Sequence, residues 1–239
     1  MFGGFPTDMT IRCITFDLDD TLWETGPVIA RAEQIALDWM KDNAPDVIAG
    51  RSEQELLEHR RAHYATLPHF SHDFTALRRH WLETLFVEVG RSKSMAREAF
   101  DVFWQARNDV TPFEDAMAAI ARLNAEGLFI GTITNGNASI EHIGLGEHFH
   151  FTVTAADAGV MKPAAEIFAY ALNKVGVQPS EAIHVGDDPV SDVVGARDFG
   201  MKTVWVNPQR KLWDESLGRA PDVQVDSSAE IEAVVARWR

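Results

Sequence analysis

The sequence predicts an α/β fold, a doubly wound parallel sheet interrupted by an all-helical insertion, and three observations carry that prediction. From residue 113 to residue 206 short apolar runs alternate with amphipathic helical patterns, the rhythm of a parallel sheet covered on both faces. Three apolar runs, counting an early one at 11–16, end in acidic or hydroxyl-amide residues. The carboxyl ends of strands are where open α/β sheets bind ligands. Between Trp23 and Pro112 convincing strands are absent and long helical patterns take over.

Each element follows in order. Ile11-Arg-Cys-Ile-Thr-Phe16 reads as a buried first strand. Helical patterns at Pro27–Lys41, Ser52–Tyr64, Asp73–Val89 and Ser94–Ala106 fill the insertion, with Glu24–Gly26 and Asp109–Pro112 as its hinges. The alternation resumes with a helix over Asp115–Glu126, a strand over Leu128–Ile133 and a short helix near Ala138–Ile143. A strand at Phe151–Thr154 precedes a helix at Ala164–Val175, where Ile167, Phe168, Ala171, Leu172 and Val175 recur at helical spacing. Then come the strand Ala182–Val185, the helix Val190–Phe199 and the strand Thr203–Val206. Val223–Val225 is expected to add an edge strand and Ala229–Arg237 a closing helix. The domain reading is a Rossmann-like core over 1–23 and 113–239, with a helical cap over 24–112 that would close over a site and exclude water.

At 239 residues the chain can bury one large core with a smaller inserted domain. Its net charge of −14 argues against nucleic acid or a membrane surface as partner. The single cysteine, Cys13, falls inside the first strand and reads as a core residue. Met1–Asp8 has neither a basic nor an apolar leader region, and no apolar run reaches the ~18 residues of a membrane span, so a cytoplasmic location is expected.

The chemistry sits in four places. Asp17-Leu-Asp19-Asp20-Thr21 follows the first strand directly. Carboxylates at i and i+2 point to opposite sides of an extended chain, but a turn just past the strand can aim both into one crevice. One could then serve as nucleophile and the other as general acid/base. A bare Asp-x-Asp is more often an acidic turn or cap. Ile133-Thr134-Asn135-Gly136 can offer hydroxyl and backbone donors to a phosphate, or be an ordinary Asn-Gly turn. Met161-Lys162-Pro163 opens a helix with a lysine free to reach across a cleft. His184-Val-Gly-Asp187-Asp188-Pro-Val-Ser-Asp192 clusters carboxylates at a strand end, which suits a hard cation or a capped helix start.

In that order the four motifs resemble the haloacid dehalogenase (HAD) superfamily over about residues 10–24 and 113–210. The resemblance implies Asp17 as nucleophile through an aspartyl-phosphate, and Asp19 as acid/base. It implies Mg²⁺ held by Asp17, the backbone carbonyl of Asp19 and Asp187, with Thr21, Asp188 and Asp192 supporting those ligands. Thr134, the Asn135 backbone and Lys162 would bind the transferring phosphoryl group. The dehalogenase branch lacks the second carboxylate of the first motif, so Asp19 favours phosphate-ester hydrolysis over dehalogenation.

Further segments resemble bacterial riboflavin-pathway phosphatases of that superfamily. They are Phe16–Leu22 with Pro27-Val28, His72-Asp73 followed by Thr75, Thr134–Ala138, Gly144–Gly146 and His184–Asp188. This implies flavin mononucleotide or 5-amino-6-(5-phospho-ribitylamino)uracil as substrate, against a broad sugar or nucleotide phosphatase as the other reading. In the cap, Arg78, Trp81, Trp104 and Arg107 are the residues expected to meet a ring and its polar edge. A small phosphorylated metabolite is the expected partner, and a monomer or weak homodimer the expected state.

Overall fold

The computed structural model describes residues 11–238. Met1–Asp8, expected to carry no leader signal, lies outside the described residues. Strand β1 (Cys13–Phe16) is buried at every position, as an apolar run flanked on both sides and both faces must be. It begins two residues later than the run suggests.

Five helices follow β1: α1 (Thr25–Asn43), α2 (Pro45–Ile48), α3 (Glu53–Ala65), α4 (Phe74–Glu88) and α5 (Lys93–Arg107). Their starts are set by caps that the sequence carries. Ser52 and Glu55 form a reciprocal capping box, and Asp73 and Ser92 accept from backbone N–H groups of the first turns. Residues 25–110, joined by Asn137–Ser139, make one compact unit. Met40, Leu56, Trp81, Leu82, Phe86 and Phe100 belong to its apolar core.

Of the described residues, the second unit comprises 11–24, 111–136 and 140–238. After α6 (Glu114–Ala125) come β2 (Phe129–Thr134), α7 (Ile140–Ile143), β3 (Phe151–Thr154) and α8 (Ala155–Ala158). Helix α9 (Ala165–Asn173), β4 (Ala182–Gly186), α10 (Gly195–Phe199), β5 (Lys202–Val206), β6 (Val223–Val225) and α11 (Ile231–Val235) complete it. The six strands form one sheet in the order β3-β2-β1-β4-β5-β6. Every pairing is parallel, so all carboxyl ends share one edge.

Three expectations need correction. The helix foreseen over Val190–Phe199 is split: Pro189–Val194 is a wide π-helical turn and only Gly195–Phe199 is α-helical. Such bulges recur at functional sites. Here Asp188 caps the turn through the N–H groups of Val190 and Ser191, and Gly195 packs so close to Pro163 that a Cβ would lie 2.8 Å from its Cα. The closing helix likewise begins as a 3-10 turn at Ser228–Glu230 and ends at Val235. Helices α2 and α8 were not foreseen, because four residues are too few to show a helical period. Among the described residues no helix is long and apolar enough to cross a membrane.

Candidate active site

Strands β1 and β4 run side by side with Phe16 opposite Val185, and the Asp17 N–H donates to the Val185 carbonyl at 2.8 Å. Asp17 therefore leaves β1 where Gly186 and Asp187 leave β4. Past Asp17 the chain doubles back: the N–H groups of Thr21 and Leu22 both donate to the Leu18 carbonyl, at 3.2 and 2.8 Å. Asp20 takes the left-handed conformation (φ 59°), which Asp tolerates better than most residues. Leu18 and Leu22 are fully buried, whereas Asp19 is partly exposed. The chain thus turns directly after β1, with Asp17 before the turn and Asp19 on it. The Trp23 indole Nε1–H donates to Asp19 Oδ1 at 3.0 Å.

Lys162 is the hub. Its Nζ lies 2.6 Å from Asp17 Oδ1 and 2.6 Å from Asp192 Oδ1, with the lysine side chain only 2 % exposed. Its backbone is gripped by the Asn135 side chain, whose Oδ1 accepts from Lys162 N–H at 2.8 Å and whose Nδ2 donates to the Lys162 carbonyl at 3.0 Å. The Asn-Gly pair after β2 thus ties two loops together as well as turning one. Thr134 Oγ1 accepts from Gly136 N–H at 2.9 Å and shapes that turn.

Asp192 is held on both oxygens. Oδ2 accepts from the Asp188 N–H at 3.0 Å, while Oδ1 faces Lys162 and, at 3.1 Å, His184 Nε2. His184 Nδ1 in turn lies 2.8 Å from Thr15 Oγ1. Gly186 makes room: a Cβ there would sit 2.2 Å from Asp192 Oδ2. The Asp187 carbonyl accepts from Trp205 Nε1 at 2.8 Å, which fixes the backbone carrying that carboxylate. Carboxylate oxygens of Asp17, Asp187 and Asp192 all lie within 4.8 Å of one another, with both Asp192 oxygens also engaged by Lys162, His184 and the Asp188 N–H. Thr21 is buried, and its carbonyl accepts from Ser228 Oγ. Thr15, Trp23 and Trp205 were missed, because in sequence they read as core positions of a strand or its margin. His184 did carry a signal, standing directly before the acidic motif.

Electrostatics make the centre over-acidic. Burial alone would lower the Lys162 ammonium, but Asp17 and Asp192 raise it, so it stays charged. Burial alone would raise Asp192, but Lys162 and His184 pull it well below the carboxylate range. Asp17 is pushed up by burial, which Lys162 offsets only in part while Asp192 adds to it. Asp187 is raised to about 7 by burial and by the neighbouring Asp192, Asp20 and Asp188. Several carboxylates crowd one ammonium, and an all-oxygen donor set suits a hard divalent cation.

One consequence is measurable. A carboxyl group raised to about 7 in the folded protein favours folding below its ordinary value near 3.8 and loses that contribution as pH rises through 7. In excess chelator, Asp187→Asn is expected to melt near wild type at about pH 4 and above it at about pH 8. Adding Mg²⁺ at pH 8 should raise wild-type Tm more than that of the variant. A Tm difference independent of pH would contradict the crowding.

Each of the residues expected to meet a ring has partners within the helical unit. Arg78 is paired to Glu33 at 2.6 Å and lies 3.4 Å above the Phe103 ring, and Arg60 shares the same carboxylate at 2.7 Å. Burial works to raise Glu33, yet Arg78 and Arg60 bring it below its ordinary value. Trp81 is 4 % exposed, with its Nε1–H donating to His59 Nδ1. Arg107 is buried and donates to Asn137 Oδ1 at 3.2 Å, and Trp104 packs partly buried against the apolar core. Ala30, Leu37, Arg78 and Phe103 help line a cavity of about 470 Å³ within this unit.

A parallel α/β core that gathers a buried carboxylate, a buried lysine and an acidic cluster at one sheet edge suits a hydrolytic or group-transfer enzyme. Residues 11–200 match the haloacid dehalogenase-like hydrolase family, and the chain belongs to it. It is 32 % identical over 236 residues to the 5-amino-6-(5-phospho-D-ribitylamino)uracil phosphatase YigB of Escherichia coli, covering 94 % of this chain and 96 % of that one. It is 33 % identical to a glyceraldehyde 3-phosphate phosphatase of Pyrococcus furiosus, over 82 % and 80 % of the two chains. Among solved structures, a protein described as a 2-haloacid dehalogenase from Pseudomonas syringae pv. Tomato superposes with a TM-score of 0.89. It shares 37 % identity over 96 % of this chain and 100 % of that one. The family and the phosphatases among these relatives agree with the expected phosphoric monoester hydrolase.

Proposed function

We propose that the chain is a Mg²⁺-dependent cytoplasmic phosphatase that hydrolyses small phosphate monoesters through an aspartyl-phosphate on Asp17. The observation that carries this reading is the second carboxylate, Asp19, on the same tight turn as Asp17. Asp17 attacks phosphorus while Asp19 gives its proton to the departing alkoxide. A water then gives its proton to Asp19 and attacks the aspartyl-phosphate, releasing phosphate and freeing Asp17. Lys162, the Thr134 hydroxyl and the Asn135 N–H neutralise and orient the phosphoryl oxygens. Asp17, Asp187 and the Asp19 carbonyl would hold Mg²⁺, with Asp192 beside them, and the ion when bound offsets the repulsion between carboxylate and phosphate dianion.

Flavin mononucleotide or 5-amino-6-(5-phospho-ribitylamino)uracil is the proposed substrate, in riboflavin metabolism. The near full-length likeness to the E. coli uracil-phosphate enzyme supports it, beside the motifs shared with riboflavin-pathway phosphatases. The likeness to the P. syringae structure favours a second reading, dehalogenation of a 2-haloacid. One screen decides. Phosphate release should be measured over both ring-bearing esters, glycerol and hexose phosphates, with halide release from a 2-chloroacid alongside. The expected result is the highest kcat/KM on a ring-bearing ester, loss of activity in chelator and no halide. Equal kcat/KM across the panel would leave a broad phosphatase, and halide release without phosphate release would overturn the proposal.

A further inference from the structure

We propose that Trp23 is a positioning residue for Asp19: its indole N–H fixes the angle at which Asp19 presents its proton to the leaving group. The inference rests on the acid/base reading of Asp19 given above. Trp23 is fully buried, and a buried indole needs an acceptor for its one N–H. Its acceptor is not a backbone carbonyl but Asp19 Oδ1, 3.0 Å away and four residues earlier on the turn. The backbones of Asp19 and Trp23 also form an isolated bridge, so both ends of the contact are anchored.

The turn itself cannot drift. Leu18 accepts from Thr21 and Leu22, the Thr21 carbonyl accepts from Ser228 Oγ at 2.9 Å, and the Leu22 carbonyl accepts from Phe113 N–H at 2.9 Å. Asp19 is the partly exposed carboxylate on this clamped loop, and only its side-chain torsions are left to set. The indole donor on Oδ1 constrains them, and the proton to be transferred is the one carried by Oδ2. As the phosphorus–oxygen ester bond breaks, that proton passes to the alkoxide and Asp19 becomes a carboxylate. The indole N–H stabilises the carboxylate and transfers nothing itself.

The role predicts a dependence on leaving group that a packing role does not. An alkyl alkoxide needs the proton, whereas nitrophenolate leaves without it. The variant Trp23→Phe keeps the ring in the core and removes the donor. If phenylalanine disturbs the fold, benzothienylalanine at position 23 keeps the bicyclic shape with sulfur in place of N–H. Both are to be compared with wild type, Asp19→Asn and the double variant, using kcat/KM for an alkyl phosphate and for p-nitrophenyl phosphate.

Loss of the donor should lower kcat/KM for the alkyl ester about ten- to hundredfold, the range of a hydrogen bond to a charged group. The aryl ester should change about twofold or less, and no further loss should appear in the Asp19→Asn background. Equal losses on the two esters, or an alkyl loss that persists in full beside Asp19→Asn, would overturn the role of Trp23. If Asp19→Asn itself shows no difference between the esters, the acid/base reading of Asp19 fails, and the inference falls with it.

Discussion

Asp17→Asn is expected to lower kcat by about three to six orders of magnitude, the range seen when a nucleophile that works within a unit is removed. Asparagine keeps the shape but cannot form the acyl-phosphate. The fold should survive, because Lys162 retains Asp192 as partner and one carboxylate leaves an over-acidic centre. Phosphate release and circular dichroism on the same preparation check both halves. A folded variant that turns over near the wild-type rate would remove Asp17 from the chemistry.

Lys162→Met is expected to damage both activity and stability. It leaves Asp17 and Asp192 facing each other without the cation that both touch at 2.6 Å, at sites where the side chains are 11 % and 2 % exposed. Breaking a buried pair by removing one partner costs about 3–5 kcal/mol, and losing a preorganised charge on the phosphoryl oxygens costs about 10²–10³ in kcat. Chemical denaturation and phosphate release measure the two terms. Lys162→Arg should not restore the rate: two carboxylates converge on one nitrogen here, and a planar guanidinium fork cannot reproduce a point charge. A fully active Arg variant would show that only net charge matters at this position.

The core of the fold was legible where strands are buried on both faces, as β1, β2 and β4 are, and so appear as apolar runs. The wide turn at Pro189–Val194 was not, since it depends on where Asp188 and Asp192 must sit rather than on any local preference. The site was legible where strands end in acidic residues. What the sequence hid were partners far away in the chain. Nothing near Trp205 announces the Asp187 carbonyl, and nothing near Thr15 announces His184. In the helical unit, composition pointed to ring recognition by Arg78 and Trp81. Their partners Glu33 and His59 lie on α1 and α3, out of reach of any local pattern.

The sheet order also imposes a schedule on synthesis. Cys13 of β1 pairs with Phe129 on one side and with Ala182 on the other. The strand that leads into Asp17 thus precedes both of its neighbours in the chain and gains the second one late, across loops whose closure is entropically costly. The helical unit, nearly all of it between residues 25 and 110, has its contacts close at hand. A chain leaving the ribosome therefore holds most of the helical unit while Asp17 still waits for Lys162 and Asp192, and any truncation ending before Ala182 leaves β1 as an open edge.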